Sequence, residues 1–327
     1  MPSKLDQLKK MTVVVADTGD FDAIRKYKPV DCTTNPSLIL KAVQSDSEAV
    51  HELVDEAVVW GRSRNRPTSA VADRVVVNVG AELTGLVPGR VSTEVNADLS
   101  FDTEGSIRKA REIIADYESR GIDRGRILIK LASTWEGMRA AEVLQRDGID
   151  CNMTLLFSLA QAAAAADAGV FLVSPFVGRI LDWYTKSTGE KYTAETDPGV
   201  RSVRDIYFYY KGNDVKTIVM GASFRNQGEI EALAGCDRLT ISPALLESLA
   251  KDDGKLERQL SPDKASRDVP SKMSLDEKSF RYMLNEDAMA TDKLADGIRL
   301  FAQDLTKLRE LVSKRMEASA AVPADVP

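Results

Sequence analysis

Short apolar runs alternate with longer amphipathic stretches along almost the whole chain. Residues 11–17 (MTVVVAD) read as a buried strand ending in a carboxylate, and Phe21–Tyr27 carries apolar residues at helical spacing. Residues 30–35 (VDCTTN) form a second strand, after which Pro36 starts a helix bearing Leu38, Ile39 and Ala42. Helices are expected over about 46–62 and 70–84. The second contains RVVVNVG (74–80), which is β-rich on propensity alone. It is read as helix because RVSTE (90–94) makes the better strand. Ile107, Ala110, Ile114 and Tyr117 then recur at helical spacing until Gly121. A strand at 127–131, a helix at 135–146, a strand at Cys151–Leu156 and an alanine-rich helix at 159–168 follow. A sixth strand is expected at 170–174, a polar and partly helical segment up to Gly212, and strands at 216–220 and Arg238–Ile241.

Strands alternating with helices favour a parallel sheet built from right-handed crossovers. Eight such strands point to an α/β fold of the closed (β/α)8 TIM-barrel type, with an open doubly wound sheet as the alternative. No Gly-x-Gly-x-x-Gly or Walker sequence follows any strand, so nucleotide binding has no support. Residues 252–274 are polar and rich in breakers, as a loop beyond strand eight would be. Helices at about 276–284 and 287–315 follow, the latter with Leu294, Ile298, Leu305, Leu308 and Leu311. The chain therefore reads as one domain, 1–317, a barrel with additional C-terminal helices. Residues 318–327 are expected to be a disordered tail.

Side chains alternate across a strand, and the polar residues that interrupt these strands fall near their C-terminal ends on one parity. Asp17 follows Val13 and Val15 in register. Thr33 and Asn35 share a face, as do Ser92 and Glu94, Leu128 and Lys130, and Asn152 and Thr154. Ser174 closes the sixth strand, and Ser223 and Arg225 lie just past the seventh. In a barrel these strand ends form the catalytic face. One lysine, two carboxylates, several hydroxyl and amide groups and an arginine are thus placed around a common mouth. Taken singly, each has an ordinary structural role, such as an Asp that ends a strand and caps the next helix. Their coincidence on one face points to a site.

Composition narrows the chemistry. A net charge of −6 with 29% charged residues gives no nucleic-acid footprint, and the cluster Arg62, Arg64, Arg66 reads as a solvated helix end. The N-terminal decapeptide has no signal-peptide core, and no run approaches the roughly 18 apolar residues of a membrane span. Cys32, Cys151 and Cys236 are dispersed and odd in number, which fits reduced thiols in a cytoplasmic enzyme and no metal cluster. His51 is the only histidine, so neither a zinc-protease helix nor a histidine-dependent triad is available; it is expected on a helix surface.

Lys130 lies inside an apolar run, where its charge is costly to bury. It is either half of a structural ion pair or a desolvated amine that attacks a carbonyl as a neutral nucleophile. An amine with two carboxylates for acid/base work suits Schiff-base chemistry, in which a protonated imine accepts electrons from a breaking carbon–carbon bond.

The runs VADTGD (15–20), DCTTNPSLI (31–39), PGRVSTEV (88–95), RILIKLASTWEG (126–137), CNMTLLFS (151–158), SPFVGRILDW (174–183) and GASFRN (221–226) resemble the transaldolases of the pentose phosphate pathway. The likeness runs from about residue 3 to 316 and is closest to the long bacterial and eukaryotic type. It implies a cofactor-free, metal-free transfer of a dihydroxyacetone unit. Sedoheptulose 7-phosphate and glyceraldehyde 3-phosphate would give erythrose 4-phosphate and fructose 6-phosphate. Carried over by motif, Lys130 would form the imine, Asp17 would be the acid/base for bond cleavage, and Glu94 would act through a water held with Thr154. Asn35, Asn152 and Ser174 would bind the dihydroxyacetone hydroxyls, Thr33 would support Asp17, and Arg179, Ser223 and Arg225 would bind phosphate. The related fructose-6-phosphate aldolases carry a tyrosine at Phe176 and a glutamine at Glu94, so the residues present here favour transfer over release. A sugar-phosphate lyase and a non-catalytic sugar-phosphate sensor are the competing readings. A homodimer is expected from the resemblance.

Overall fold

Eight short runs rich in β-branched residues pair in parallel and close on themselves. They are β1 (Val13–Asp17), β2 (Asp31–Thr33), β3 (Val91–Glu94), β4 (Ile127–Ala132), β5 (Cys151–Leu156), β6 (Leu172–Pro175), β7 (Ile218–Gly221) and β8 (Arg238–Ile241). Each pairs with the next, and β8 returns to β1. The computed structural model describes residues 2–265 and 269–321, with side chains as far as Ala318. The eight-stranded (β/α)8 barrel read from the sequence is the fold, and the open sheet is excluded by the β1–β8 pairing.

Alternate residues of each strand face inward, and the interior changes character along the barrel axis. At the N-terminal end the Phe171 ring lies beneath the guanidinium groups of Arg90 (4.3 Å) and Arg238 (5.7 Å). Arg238 pairs with the buried Asp31. Above this floor Val15, Leu128, Leu172 and Met220 form a small apolar cluster of their own. Beyond it the inward positions turn polar, as the strand parity predicts.

Strand and helix limits differ from the sequence reading for local reasons. β1 begins at Val13 because Met11 N–H and Thr12 N–H both donate to Leu8 C=O, each at 2.9 Å, closing a helix at Lys4–Leu8. That helix was not expected. A capping box between Ser3 and Asp6 starts it, and Leu5 and Leu8 are buried beneath it. RVVVNVG lies in the helix Thr68–Leu86, as expected despite its β-rich composition. Val71, Ala72, Val75, Val77, Val79 and Leu83 are all buried, so almost the whole circumference of this helix is covered. The polar segment before Gly212 contains two helices, Gly178–Thr188 and Pro198–Gly212, and two further unexpected helices occur at Gln227–Ala232 and Pro243–Lys251. His51 is exposed on the helix Glu48–Ser63, as expected. Past the end of that helix, Arg64 and Arg66 join Arg74 around the Trp60 ring.

The last helix, Ala288–Ala321, spans 34 residues, or about 50 Å. Its buried stripe of Leu294, Ile298, Phe301, Leu305, Leu308 and Val312 follows helical spacing. The helix packs against the helices Pro36–Val43, Glu48–Ser63, Thr68–Leu86 and Gly178–Thr188, and also against β5. It therefore crosses the C-terminal mouth of the barrel. It continues to Ala321, past the point where a disordered tail was expected to begin; residues 322–327 lie outside the described residues.

Candidate active site

Strand register sets the inward polar residues beside one another, strand by strand, near the C-terminal end of the barrel. Asp17 is level with Thr33, Thr33 with Ser92, Glu94 with Lys130, Lys130 with Asn152, and Ala132 with Thr154. A cavity of about 220 Å³ opens above them. Of the twelve residues that the family resemblance singles out, Asp17, Thr33, Asn35, Lys130, Thr154, Ser174, Phe176, Arg179, Ser223 and Arg225 line it. Glu94 stands on the other side of Lys130, where Thr34, Asn35, Asn96, Leu305 and Leu308 surround it. Asn152 is fully buried behind Ser174, whose Oγ donates to Asn152 Oδ1 at 2.7 Å.

Lys130 is 4% exposed. Its Nζ lies 3.2 Å from Glu94 Oε2 and donates to the Thr34 carbonyl at 3.1 Å. The ion pair weighed from sequence is therefore present, and it lies within the site rather than apart from it. Burial pushes the Glu94 carboxyl above its ordinary value, against the opposing pull of Lys130. Burial likewise raises Asp17, opposed by the Lys130 charge, by a 2.8 Å hydrogen bond from Thr33 Oγ1 and by Arg179. Asparagine 35 caps the helix Pro36–Val43, its Oδ1 accepting from Leu38 N–H at 2.9 Å, so its amide nitrogen is the part left for the cavity.

β5 departs from regular pairing between Met153 and Leu156, and Leu155 takes φ 53°. This kink sits beside the site, where such irregularities re-aim side chains. Thr154 Oγ1 is buried without a protein partner, and Glu94 Oε2 has none beyond its charge contact with Lys130. Both are open to a water or a substrate oxygen.

Two arginines meet at the outer end of the cavity. Arg179 lies between the rings of Phe176 (5.0 Å) and Phe301 (5.3 Å), and makes no ion pair among the described residues. Burial lowers its pKa first and the nearby Arg225 charge lowers it further, although a guanidinium stays charged regardless. Arg225 makes an exposed pair with Asp182 at 2.6 Å and reaches Ser223 Oγ at 3.4 Å. Two like charges held together at a cavity are relieved by an anion.

A second apolar cluster roofs the site. Leu155, Phe157 and Phe176 of the barrel end meet Met289, Leu294, Ile298 and Phe301 of the last helix. Gly297 lets that helix approach closely, since a Cβ there would meet Leu155 Cδ2 at 2.5 Å.

The family model described as transaldolase/fructose-6-phosphate aldolase matches residues 14–312. The chain belongs to this family. Among curated relatives, a transaldolase of Rhizobium etli is 69% identical over 325 residues, covering 98% of this chain and all of the relative. One of Agrobacterium fabrum is 67% identical over the same span, and one of Marinomonas sp. is 58% identical over 314 residues, covering 95% of this chain. The activity is accordingly that of a transaldolase, an enzyme of the transferase class acting on sugar phosphates.

Sequence reasoning missed several residues of this family member's site. Thr240 on β8 hydrogen-bonds Thr33 through their hydroxyls at 2.7 Å and lines the cavity. The strand parity that found Thr33 would have found it, had it been extended to β8. Thr34 acts through its main chain, and Phe301 sits in an ordinary apolar stripe, so neither carries a signal. Asp182, Asp197 and Glu229 surround the arginine segment from three separate elements, and only the fold brings them together.

Proposed function

We propose that dihydroxyacetone transfer runs through an imine on Lys130, with Glu94 and Asp17 moving its protons. The observation that carries this reading is the buried Lys130–Glu94 pair at 3.2 Å beside a second raised carboxyl. Proton transfer from Lys130 to Glu94 produces a neutral amine and a carboxylic acid together. The amine adds to the ketose carbonyl carbon. Glu94, relayed by a water shared with Thr154, then protonates the departing hydroxyl, leaving the protonated imine. Asp17 takes the proton of the C4 hydroxyl, the C3–C4 bond breaks, and its electron pair enters the imine as an enamine. The aldose leaves and an acceptor aldehyde is attacked by the reverse steps.

Asn35, Asn152 and Ser174 take the hydroxyls of the bound three-carbon unit, and Thr33 holds Asp17. Arg179, Ser223 and Arg225 take the phosphate, with arginine matching its oxygens in bidentate fashion. Sedoheptulose 7-phosphate and fructose 6-phosphate are the donors under this reading. Phe176, which offers no hydroxyl to a water, and the roof above it favour retention of the enamine over its hydrolysis. Incubation with fructose 6-phosphate alone should release free dihydroxyacetone far more slowly than transfer proceeds once erythrose 4-phosphate is added. Release at the transfer rate would identify a lyase instead.

Residues 1–317 are read as one folding unit. The cytoplasm is the proposed compartment, supported by Cys32, Cys151 and Cys236, all free and buried with thiols pushed well up by desolvation. No helix among the described residues is long and apolar enough to cross a membrane. A homodimer is proposed through the C-terminal helices, which expose Tyr282, Met283 and Leu300. Sedimentation equilibrium should give twice the 35.8 kDa chain mass; a single-chain mass at micromolar concentration would reject it.

A further inference from the structure

The segment bearing Ser223 and Arg225 leaves β7 and ends at the helix Gln227–Ala232. Ser223 takes φ 62°, a conformation that costs a residue with a Cβ and so has to be held in place. One side is held by main-chain bonds from Val177 N–H to Ala222 C=O (2.8 Å) and from Gly178 N–H to Ser223 C=O (2.7 Å). On the other side, Arg225 N–H donates to Glu229 Oε2 at 2.6 Å. Glu229 is fully buried, and as a carboxylate its Oε1 has no partner. The group it faces is Asp197, 2% exposed. Asp197 Oδ1 accepts from Gly199 N–H (2.7 Å) and Val200 N–H (3.2 Å) at the start of the helix Pro198–Gly212.

Two buried carboxylates in contact cannot both ionise. Burial raises Asp197 as well, but two N–H groups at a helix N-terminus pull it back down, so of the two Asp197 keeps the charge. A proton on Glu229 Oε1 then turns an orphaned acceptor into a donor to Asp197. We propose that Glu229 is a positioning residue for phosphate binding, a neutral carboxyl that bridges Arg225 N–H to the Asp197 carboxylate and so fixes the Ser223–Arg225 segment. This rests on the reading of Ser223 and Arg225 as phosphate ligands.

The other charges nearby are accounted for. Asp182, on the helix Gly178–Thr188, is taken by the Arg225 guanidinium, and Glu231, on the helix of Glu229 itself, is directed to Lys4 at 2.8 Å. Burial, with Asp197 adding to it, pushes Glu229 up to about 7. A carboxyl raised by the fold keeps its proton, and the bridge, below that value. As pH rises through it, two negative charges face each other and the bridge opens.

The test is KM for fructose 6-phosphate between about pH 6.5 and 8.5. In the wild type KM should rise with pH. Glu229→Gln keeps an acceptor for Arg225 N–H and a donor for Asp197 without titrating, so its KM should stay flat at the low-pH value. Glu229→Ala should raise KM roughly tenfold at every pH, with kcat changed less. A Gln variant that follows the wild-type course, or an Ala variant with unchanged KM, overturns the proposal. If the Ala variant fails to fold, the Gln profile decides alone. Arg225→Ala separates the two readings. Equal loss for phosphorylated and phosphate-free donors overturns the phosphate assignment and this inference with it. Loss confined to phosphorylated donors, alongside unaltered Glu229 variants, overturns this inference only.

Discussion

In a Lys130→Met variant, turnover falls by on the order of 10⁴-fold or more, because the covalent intermediate cannot form, while the barrel stays folded. Methionine fills the space of the lysine stem. The exposed liability is Glu94, since breaking a buried pair from one side leaves an uncompensated charge worth about 3–5 kcal/mol. Glu94 escapes that penalty by taking a proton. Burial already raises its pKa, and Lys130 is the first influence holding it down. Removing the lysine moves it further up. A carboxyl raised in the folded state contributes stability that is complete below its unfolded value, near 4.5, and lost as pH rises through the folded one. The variant should therefore melt close to the wild type at mildly acidic pH and fall behind it as pH increases. A variant already unfolded at acidic pH would mark Lys130 as a structural residue only.

An Asp17→Asn variant should lose about 10² to 10⁴ in turnover, the usual range for a removed acid/base group, yet still form the imine. Asparagine keeps an oxygen for the 2.8 Å bond from Thr33 Oγ1, so the strand-end geometry survives. What it lacks is the capacity to take the C4 hydroxyl proton. Under the proposed mechanism, imine formation belongs to Lys130 and Glu94 on β4 and β3, and not to Asp17 on β1. The measurement is a split: donor-dependent trapping retained, aldose release lost. Loss of both together would place Asp17 in imine formation and reverse the assigned roles.

Much of this site is written in local sequence because barrel strands express their inward faces as period-two parity. Asp17, Glu94, Lys130, Asn152 and Thr154 all follow that rule, and register then sets Glu94, Lys130 and Asn152 level. Past the strand ends parity has no physical basis, although Asn35, Ser223 and Arg225 do line the cavity. Asn35 lies in a cap rather than in β2, and Ser223 and Arg225 depend on a left-handed residue that no periodicity encodes. The helix Lys4–Leu8 was missed because its apolar residues, Leu5 and Leu8, are too few to show a period, whereas its capping box is clear once seen. The roof was only half legible. Leu294, Ile298, Leu305 and Leu308 announce an amphipathic helix, but nothing in that stripe says that Phe301 faces Arg179. Glu229 and Asp197 are separated in sequence by a helix and a strand, and their shared environment is a product of the fold.

The proposed chemistry depends on a covalent imine at one lysine, Lys130. Borohydride reduction in the presence of fructose 6-phosphate, followed by peptide mass analysis, tests it directly. A single donor-dependent adduct is expected on Lys130, absent from Lys130→Met and retained in Asp17→Asn. No adduct, or an adduct on a different lysine, would contradict it.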